Sequence, residues 1–597
     1  MLLARLVELA RTDRSMPLPF YTDKTVRWVV ELNPDGSLAA PHPIDLADTS
    51  DRARRNGITH AVPYVQRSGT GSKPMLAVDT AEYALGWASD PARQAKAADY
   101  HRAFQDLVTR WHAAEGTSPA AALHAFFADG HATSLIRPKG LVGSQLVAFR
   151  AAGRFLHATE AAQRFWADEA QGRKASTRTG LCLVCGQPGP LLQTIPQQLP
   201  ARLVPGATQT AALVSFNEPT HGFDLRTQLV HTPICTTCGL QAMSALERLL
   251  AGASTSSTLP GQDARLAWWV TNEVAFTLET LDDPDPGQVA ELLASAARGR
   301  PADTDVVVFC GLVVGGNVSR VVVREWIELP LDRVKANLGR WFRDHAMVDA
   351  WTGEPCYVGV GRLAVVAGRW IPGRGNQRGR YARFGASGAE RPDGLYRALL
   401  GTALLGRPLP PKLLAHLVHR IRTDGRVDTE RAALLRLALL RRPGIPDPEA
   451  LMPTLNPADR QPAYLAGRIF AVLEDLQQSA TRARGDEALN TTFADRYFAR
   501  AVTSPAVALV AGRRDARAWL KRLRRDRPAW ATNAERRLDE LFAQLAAAGG
   551  MPHGAVLADQ AAFILGYHQQ RAATRAERTS STAAVQPPTS EREGASA

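Results

Sequence analysis

Two short cysteine motifs, Cys182-Leu-Val-Cys185-Gly186 and Cys235-Thr-Thr-Cys238-Gly239, decide how the middle of this chain folds. Two thiolates two residues apart reach one tetrahedral ion at about 2.3 Å, and a following glycine lets the chain turn so that backbone N–H groups face the sulfurs. The duplicated motif fills a four-sulfur shell with no open position. We therefore predict a structural Zn²⁺ site at Cys182, Cys185, Cys235 and Cys238, within a module over residues 176–253. Two separate pairs of reduced cysteines are the alternative.

Upstream of these motifs, residues 1–175 alternate extended and helical patterns, which predicts a mixed α/β region. Residues 26–32 are typical of a strand that ends at the turn Asn33-Pro34-Asp35-Gly36. Residues 66–74 are too rich in glycine and serine for a regular element, so we expect a surface loop there.

Downstream of the motifs, residues 254–263 are small and polar, as in a linker, and residues 264–390 are predicted to form a β-rich domain. We expect its strands at 306–314, 319–327 and 357–366, with a hairpin turn at Gly315-Gly316-Asn317 between the first two. Helical periodicity then predicts a connector over 391–450 and a C-terminal helical bundle over 451–570, followed by a disordered tail over 571–597. The predicted fold class is multidomain α+β.

The composition limits the class of protein. The chain has 597 residues, of which 45% are hydrophobic and 22% charged, as expected for several globular domains. It contains no run of eighteen apolar residues, so we predict no transmembrane helix, no membrane partner and a cytoplasmic location. Six cysteines are too few for a disulfide scaffold. The net charge of +13 favours a polyanionic partner.

Positive charge is concentrated in two segments. Residues 369–384 combine three aromatic residues with five arginines and no acid; the arginines are Arg369, Arg374, Arg378, Arg380 and Arg383. Guanidinium groups bind phosphates and rings stack on unpaired bases, so this segment is a predicted nucleic-acid loop, with a solvated basic linker as the alternative. Residues 482–537 hold 14 basic and six acidic residues. Within them, the predicted nucleic-acid contacts, which could equally form an ordinary solvated helix face, are Arg513, Arg514, Arg517, Lys521, Arg524 and Arg525.

The sequence lacks the motifs of common enzymes. It has no complete phosphate-binding loop and no G-x-S-x-G or H-E-x-x-H motif. We therefore expect a binding or scaffolding protein and not an enzyme. The enzymatic alternative is a zinc-dependent nuclease or hydrolase that uses Glu218, His221 or Asp224, and a third possibility is a zinc-ribbon nucleic-acid binder.

Eight strings of residues together resemble one family, the large subunit of type I-C CRISPR-Cas surveillance complexes (Cascade). They occur in that family's order at residues 73–86, 146–150, 179–186, 213–217, 317–326, 462–474, 495–498 and 563–571. The second cysteine motif, with Cys235 and Cys238, is not part of the resemblance. The zinc prediction therefore rests on this sequence alone.

The resemblance implies a non-catalytic subunit that binds target DNA and contacts the short motif flanking the target (PAM). It also implies help with duplex opening, with R-loop formation on the guide RNA and with recruitment of the helicase-nuclease. The expected partners are Cascade backbone subunits that carry guide RNA, double-stranded target DNA and that effector. Because a loop can enter a groove that a large body cannot, Arg67, Ser72 and Lys73 are the predicted PAM contacts. The resemblance further implies a small subunit made from the C-terminal region, for which Met452 is the predicted internal start.

Overall fold

The chain folds as a mixed α+β protein, in agreement with the predicted class. A computed structural model describes residues 2–12, 20–52, 54–65, 67, 71–116, 119–174, 178–272, 276–297, 307–349, 352–373, 377–443, 449, 451–482 and 491–583. The chain divides into two compact units. Unit 1 comprises Met1–Thr258, Asp263–Asn272 and Cys310–Ile327; unit 2 comprises Leu259–Gln262, Glu273–Phe309 and Glu328–Ala597. In the described part of the chain, no helix is long and apolar enough to cross a membrane.

Unit 1 combines six helices with thirteen strands in the part of the chain that the structure describes. The helices are α1 (Leu2–Thr12), α2 (Ala81–Ala84), α3 (Gln94–Glu115), α4 (Ala120–Ala128), α5 (Glu160–Lys174) and α6 (Thr236–Ala251). The strands are β1 (Tyr21–Val26), β2 (Trp28–Leu32), β3 (Ile44–Asp45), β4 (Ile58–Pro63), β5 (Val78–Thr80), β6 (Leu146–Ala151), β7 (Arg154–Phe155), β8 (Thr179–Leu181), β9 (Pro188–Pro190), β10 (Ala207–Ala212), β11 (Ser256–Thr258), β12 (Arg265–Val270) and β13 (Val308–Pro330), of which the last continues into unit 2.

The first core of unit 1 is built on a five-stranded sheet of order β3-β2-β6-β5, with β7 also paired to β6. Strands β2 and β6 are parallel, and β5 runs antiparallel to β6. The predicted turn after β2 is confirmed, because the N–H of Gly36 donates to the Asn33 carbonyl at 3.0 Å. Gly36 has φ +87°, and a Cβ there would lie 2.5 Å from the Ala122 carbonyl oxygen, so the turn requires glycine.

The second sheet has the order β10-β13-β12-β11. The two strands predicted at 306–314 and 319–327 form one extended run, β13, of 23 residues. The two ends of the run meet, since the N–H of Leu331 donates to the Val307 carbonyl at 2.8 Å. The chain therefore reverses within β13, as the predicted hairpin requires. Strand β11 falls inside the predicted linker 254–263, so the linker prediction is wrong for Ser256–Thr258, which pair with β12.

Unit 2 is mainly helical. Its helices are α7 (Glu279–Asp282), α8 (Pro286–Ala297), α9 (Leu331–His345), α10 (Val360–Val366), α11 (Leu395–Leu405), α12 (Leu413–Asp424), α13 (Thr429–Leu440), α14 (Pro462–Arg482), α15 (Phe493–Thr503), α16 (Pro505–Asp526), α17 (Pro528–Ala547) and α18 (Leu557–Ala583). Its short strands are β14 (Met347–Val348), β15 (Pro355–Cys356), β16 (Trp370–Ile371) and β17 (Arg380–Tyr381), which pair as two separate two-stranded sheets. Helix α14 packs against α16, α17 and α18, and α18 also contacts α12 and α13.

Two predictions for unit 2 were wrong. The strand expected at 357–366 is replaced by helix α10, which buries Val360, Leu363 and Ala364 and packs against α11 and α13. The tail expected to begin at 571 is helical as far as Ala583, since α18 continues along α14 and Arg578 pairs with Asp475 at 2.7 Å. Residues 584–597 lie outside the described residues.

Candidate metal centre and nucleic-acid interface

The four predicted cysteines come together in unit 1. The sulfurs of Cys182, Cys185, Cys235 and Cys238 all lie within 4.8 Å of one another, and those of Cys185 and Cys235 are 3.9 Å apart. A zinc ion about 2.3 Å from each sulfur requires separations of about 3.8 Å. The cluster therefore has the size and donor set of a four-sulfur zinc shell. It is also the only group of three or more potential metal ligands found among the described residues.

The backbone around the cluster favours the thiolate of Cys182, whereas burial and the neighbouring sulfurs raise the pKa of Cys235 and Cys238. The N–H groups of Val184 and Cys235 point at the Cys182 sulfur, at 3.4 and 3.3 Å. Burial raises the pKa of Cys182, but these donors together with the Cys185 N–H outweigh it and lower the pKa to about 7. Cys235 immediately precedes helix α6 and Cys238 lies in its first turn. The positive end of the helix dipole adds to the stabilisation of charge at the sulfurs.

The glycines after the two motifs serve different purposes. Gly186 has φ +70° and its N–H donates to the Cys182 carbonyl at 2.9 Å, so it makes the tight turn that the sequence predicted. Gly239 lies within helix α6, where the expected tight turn does not occur. A Cβ at Gly239 would lie 2.5 Å from Leu192 Cδ1, so this position needs glycine for close packing.

The three predicted PAM contacts lie in different surroundings: Arg67 is bound by other side chains, whereas Ser72 and Lys73 line a cavity. The Arg67 guanidinium lies 2.5 Å from both carboxylate oxygens of Asp79 and 4.1 Å from the centre of the Tyr83 ring. Its Nε–H also donates to the Lys73 carbonyl at 3.2 Å. The Arg67 side chain is thus bound within the fold, whereas the exposed Ser72 lines a cavity together with Lys73; residues 66 and 68–70 of the predicted loop lie outside the described residues.

Residues 369–384 form a short antiparallel hairpin, in which β16 pairs with β17. Its Arg369, Arg378, Arg380 and Arg383 are exposed, and Arg374 lies outside the described residues. These four side chains are therefore carried by one defined element and face solvent, as a phosphate-binding surface requires.

A buried ion-pair network anchors this hairpin. The Asp424 carboxylate, at the end of α12, accepts hydrogen bonds from the Trp370 N–H at 3.0 Å, from Arg431 Nη2 at 2.6 Å and from Arg420. Its side chain is 4% exposed, and those of Arg420 and Arg431 are 3% and 0% exposed. Tyr381 in β17 donates to Asp428 at 2.6 Å. Both strands are thus held at their roots by Asp424 and Asp428.

Helix α16 divides its predicted contacts into two groups. Arg513 lies over the Phe542 ring at 4.7 Å, Arg514 pairs with Asp515 and Arg524 pairs with Glu535. Arg517, Lys521 and Arg525 are exposed and have no described acidic partner. Their spacing of four residues places them on one face, about 6 Å apart along the axis. This second group forms the stripe of α16 that is open to phosphates.

A cleft between α14 and α18 was not predicted from the sequence. Four arginines line this cavity of about 280 Å³: Arg482, Arg571, Arg575 and Arg578. Burial and the neighbouring Arg571 lower the pKa of Arg575. The last three recur at helical spacing, but residues from 571 onward were assigned to a disordered tail, which concealed this pattern.

Residues 3–575 match the family described as CRISPR-associated protein (Cas_Csd1). The chain belongs to this family. A search of the curated proteins finds no match. Membership in the Cas_Csd1 family confirms the CRISPR association that the eight strings predicted. It covers both units and extends past the last of those strings, at 563–571.

Proposed function

We propose that this Cas_Csd1 family member is the large subunit of a type I-C CRISPR interference complex, Cascade. The observation that carries the proposal is the family match over residues 3–575. In this role the chain binds target DNA, contacts the PAM and assists duplex opening while the guide RNA pairs with one strand. Its partners are the guide RNA-bearing backbone subunits, the target duplex, the helicase-nuclease and a small subunit from its own C-terminal region.

The proposed PAM contact is the loop that ends at Ser72 and Lys73. Arg67 is held by Asp79 and Tyr83 and donates to the Lys73 carbonyl, so it positions Lys73 and leaves the contact with DNA to Ser72 and Lys73. A residue that is already held in place loses less freedom on binding than a mobile one, which favours selective recognition.

The proposed backbone contacts are the hairpin arginines and the open stripe of α16. Arginines on a rooted hairpin approach phosphates without reorganising the fold, and they carry no sequence information. The three cations of α16 follow one helix face, which suits a run of successive phosphates on a displaced strand. We therefore assign sequence-independent DNA retention to these two surfaces of unit 2.

The proposed metal is a structural Zn²⁺. Four cysteine sulfurs complete its coordination, so no position is left for a water or a substrate. The metal would hold the two motifs together and would supply folding energy. We accordingly propose a non-catalytic protein, in which cleavage belongs to the recruited helicase-nuclease.

A reconstituted complex tests this function. The full chain is combined with guide RNA and the backbone subunits, and binding is measured to matched targets with and without a PAM over a range of salt concentrations. We expect Lys73→Ala to weaken binding to PAM-containing targets by about tenfold, the loss of one good contact, with little effect on the others. Charge reversal at Arg378, Arg380 and Arg383 should weaken both targets and flatten the salt dependence.

The control for Lys73 is Lys96→Ala, because Lys96 is an exposed lysine on α3 that lies over the Tyr100 ring. Equal losses on both targets for Lys73→Ala would contradict the PAM assignment. Failure of the chain to join the guide-loaded complex would refute the large-subunit function as a whole, and metal-dependent DNA cleavage by the isolated chain would favour the nuclease alternative.

A further inference from the structure

A cavity of about 680 Å³ lies within unit 1, between the predicted PAM loop, helices α3 and α5, and the cysteine module. Its size is within the range of sites that hold small organic ligands. The rim includes Ser72 and Lys73, and the opposite side carries the exposed Gln193 and Thr194 of the module. The cavity thus adjoins the loop that we assign to DNA.

One wall of the cavity is apolar and unusually fixed. Phe20 has φ +70°, a conformation that non-glycine residues seldom adopt. Its carbonyl accepts hydrogen bonds from the Tyr64 N–H at 2.6 Å and from the Trp166 indole N–H at 3.0 Å. These bonds hold the strained residue in place, and the half-buried Tyr64 presents an aromatic side chain at the cavity. Such strain is typical of preformed binding sites.

A second wall is cationic. The Glu169 carboxylate accepts bonds from Arg110 Nη2 at 3.0 Å and from Arg173 Nε at 2.7 Å, and these two guanidinium groups lower the pKa of Glu169 against the effect of burial. Two cations therefore share one anion. With Lys73 and Asp106, the lining has three positive and two negative groups, and this net positive charge favours an anionic ligand.

The third wall belongs to the cysteine module. Leu191 forms a β-bridge with Cys235, and the next residue, Leu192, donates its N–H to the Ile234 carbonyl at 2.8 Å. Leu192 also packs closely on Gly239, one residue after Cys238. Residues 192–194, which form this wall, are therefore positioned by contacts with the segment that carries Cys235 and Cys238.

We propose that this cavity binds one unpaired nucleotide of the nucleic acid, with its base beside Tyr64 and its phosphate near Lys73 and Arg110. The inference rests on the proposed function, which brings DNA to the adjoining loop. A base must leave the duplex to enter a cavity of this kind, so the ligand is an extruded or single-stranded nucleotide. The cysteine module shapes the site, which makes nucleotide binding depend on the four-cysteine cluster.

The test uses the full chain and a single-stranded oligonucleotide that carries one 2-aminopurine, a base whose fluorescence changes when it leaves its stacked neighbours. Thr194→Trp fills the cavity from an exposed position and removes no charge. Its matched control is Thr208→Trp, at an exposed position of β10 in the same unit. We expect the cavity variant to lose the fluorescence response and to bind the oligonucleotide about tenfold more weakly, while the control keeps both.

An equal response in both variants would overturn the nucleotide site. Two further arms separate its parts: 2-aminopurine nucleoside should bind more weakly than its 5′-monophosphate, and equal binding would overturn the phosphate assignment. A full response in Cys235→Ser would overturn the dependence on the cysteine module. If the chain gives the fluorescence response but does not join the guide-loaded complex, the large-subunit function is refuted and the nucleotide site stands. If the chain binds its target normally but gives no fluorescence response, the nucleotide site alone is refuted.

Discussion

Replacement of Asp424 by alanine should release the basic hairpin from unit 2. The Asp424 side chain is 4% exposed and accepts three hydrogen bonds, two of which come from the buried Arg420 and Arg431. The third comes from the Trp370 N–H, at the start of the hairpin. The substitution therefore removes a group that ties β16 to both α12 and α13.

The expected loss of stability depends on which hydrogen bonds Arg420 and Arg431 keep after the substitution. Breaking a buried ion pair by removing one partner costs about 3–5 kcal/mol. Arg431 keeps hydrogen bonds to the Val366 and Gly368 carbonyls, and Arg420 keeps its pair with Glu390, so the cost falls at the lower end. The free energy of unfolding of unit 2 should decrease by about 3 kcal/mol. Asp424→Asn keeps an acceptor for Trp370 and should lose less.

Two measurements check this prediction. Urea unfolding gives the change in stability, and hydrogen exchange of peptides over 369–384 reports on the hairpin itself. The control is Glu540→Ala, because the exposed pair of Glu540 with Arg536 should contribute less than about 1 kcal/mol. DNA retention should fall in the Asp424 variants as it does after charge reversal of the hairpin arginines. Unchanged exchange of the hairpin in Asp424→Ala would refute the anchoring role.

Three further predictions concern the metal, pH and the C-terminal region. Cys235→Ser should remove about one zinc per chain and lower the melting temperature. The control Cys310→Ala lies outside the cluster and should keep the metal. A full zinc content in Cys235→Ser would contradict a single four-cysteine site. Burial lowers the pKa of His345 to about 4, so the unfolded chain takes up a proton at this residue that the folded chain does not; His345 should thereby contribute about 2 kcal/mol to the loss of stability between pH 6.5 and 5. His345→Gln should flatten that part of the urea-unfolding profile, and an unchanged slope would argue against this histidine. Met452→Leu should abolish a short C-terminal product detected by immunoblotting of the expressed gene; its persistence would place the start elsewhere.

The His345 prediction has a direct structural basis. Its Nδ1–H donates to the Trp341 carbonyl at 2.8 Å, and its Nε2 accepts the Val358 N–H at 3.2 Å. Both bonds are satisfied together only by the neutral ring. Protonation of Nε2 would break the bond to Val358 and place a charge in the core.

The Met452 prediction meets a constraint from the fold. The Met452 carbonyl accepts a hydrogen bond from Gln569 in α18 at 2.8 Å, and α18 also contacts α12 and α13. A product that begins at Met452 would keep the hydrogen bond to Gln569 but would lack α12 and α13, so the face of α18 that packs on them would be exposed. We therefore expect it to need a partner surface in place of α12 and α13.

Local chemistry was enough to predict the cysteine cluster, the turn at Gly36 and the reversal within β13. Each depends on a short-range property, such as the spacing of two thiols or the positive φ that glycine permits. The eight strings likewise predicted the CRISPR association, because the order of motifs along a chain can be read without knowing how the chain packs.

The helix at Val360–Val366 and the helical stretch from Arg571 to Ala583 required tertiary structure. A short apolar run fits a strand or a buried helix equally well, and only its neighbours choose between them. The polar residues after 571 form no hydrophobic pattern of their own; their helix is stabilised by carboxylates on α14, such as Asp475.

The roles of individual cations were also decided by the fold. In the sequence, Arg67 and Lys73 appear equivalent, as do Arg513 and Arg517. The structure directs Arg67 to Asp79 and Arg513 to the Phe542 ring, and it leaves Arg517 exposed. Sequence determines which charges a segment carries, but a contact between residues far apart in the chain determines which charges remain open to a ligand.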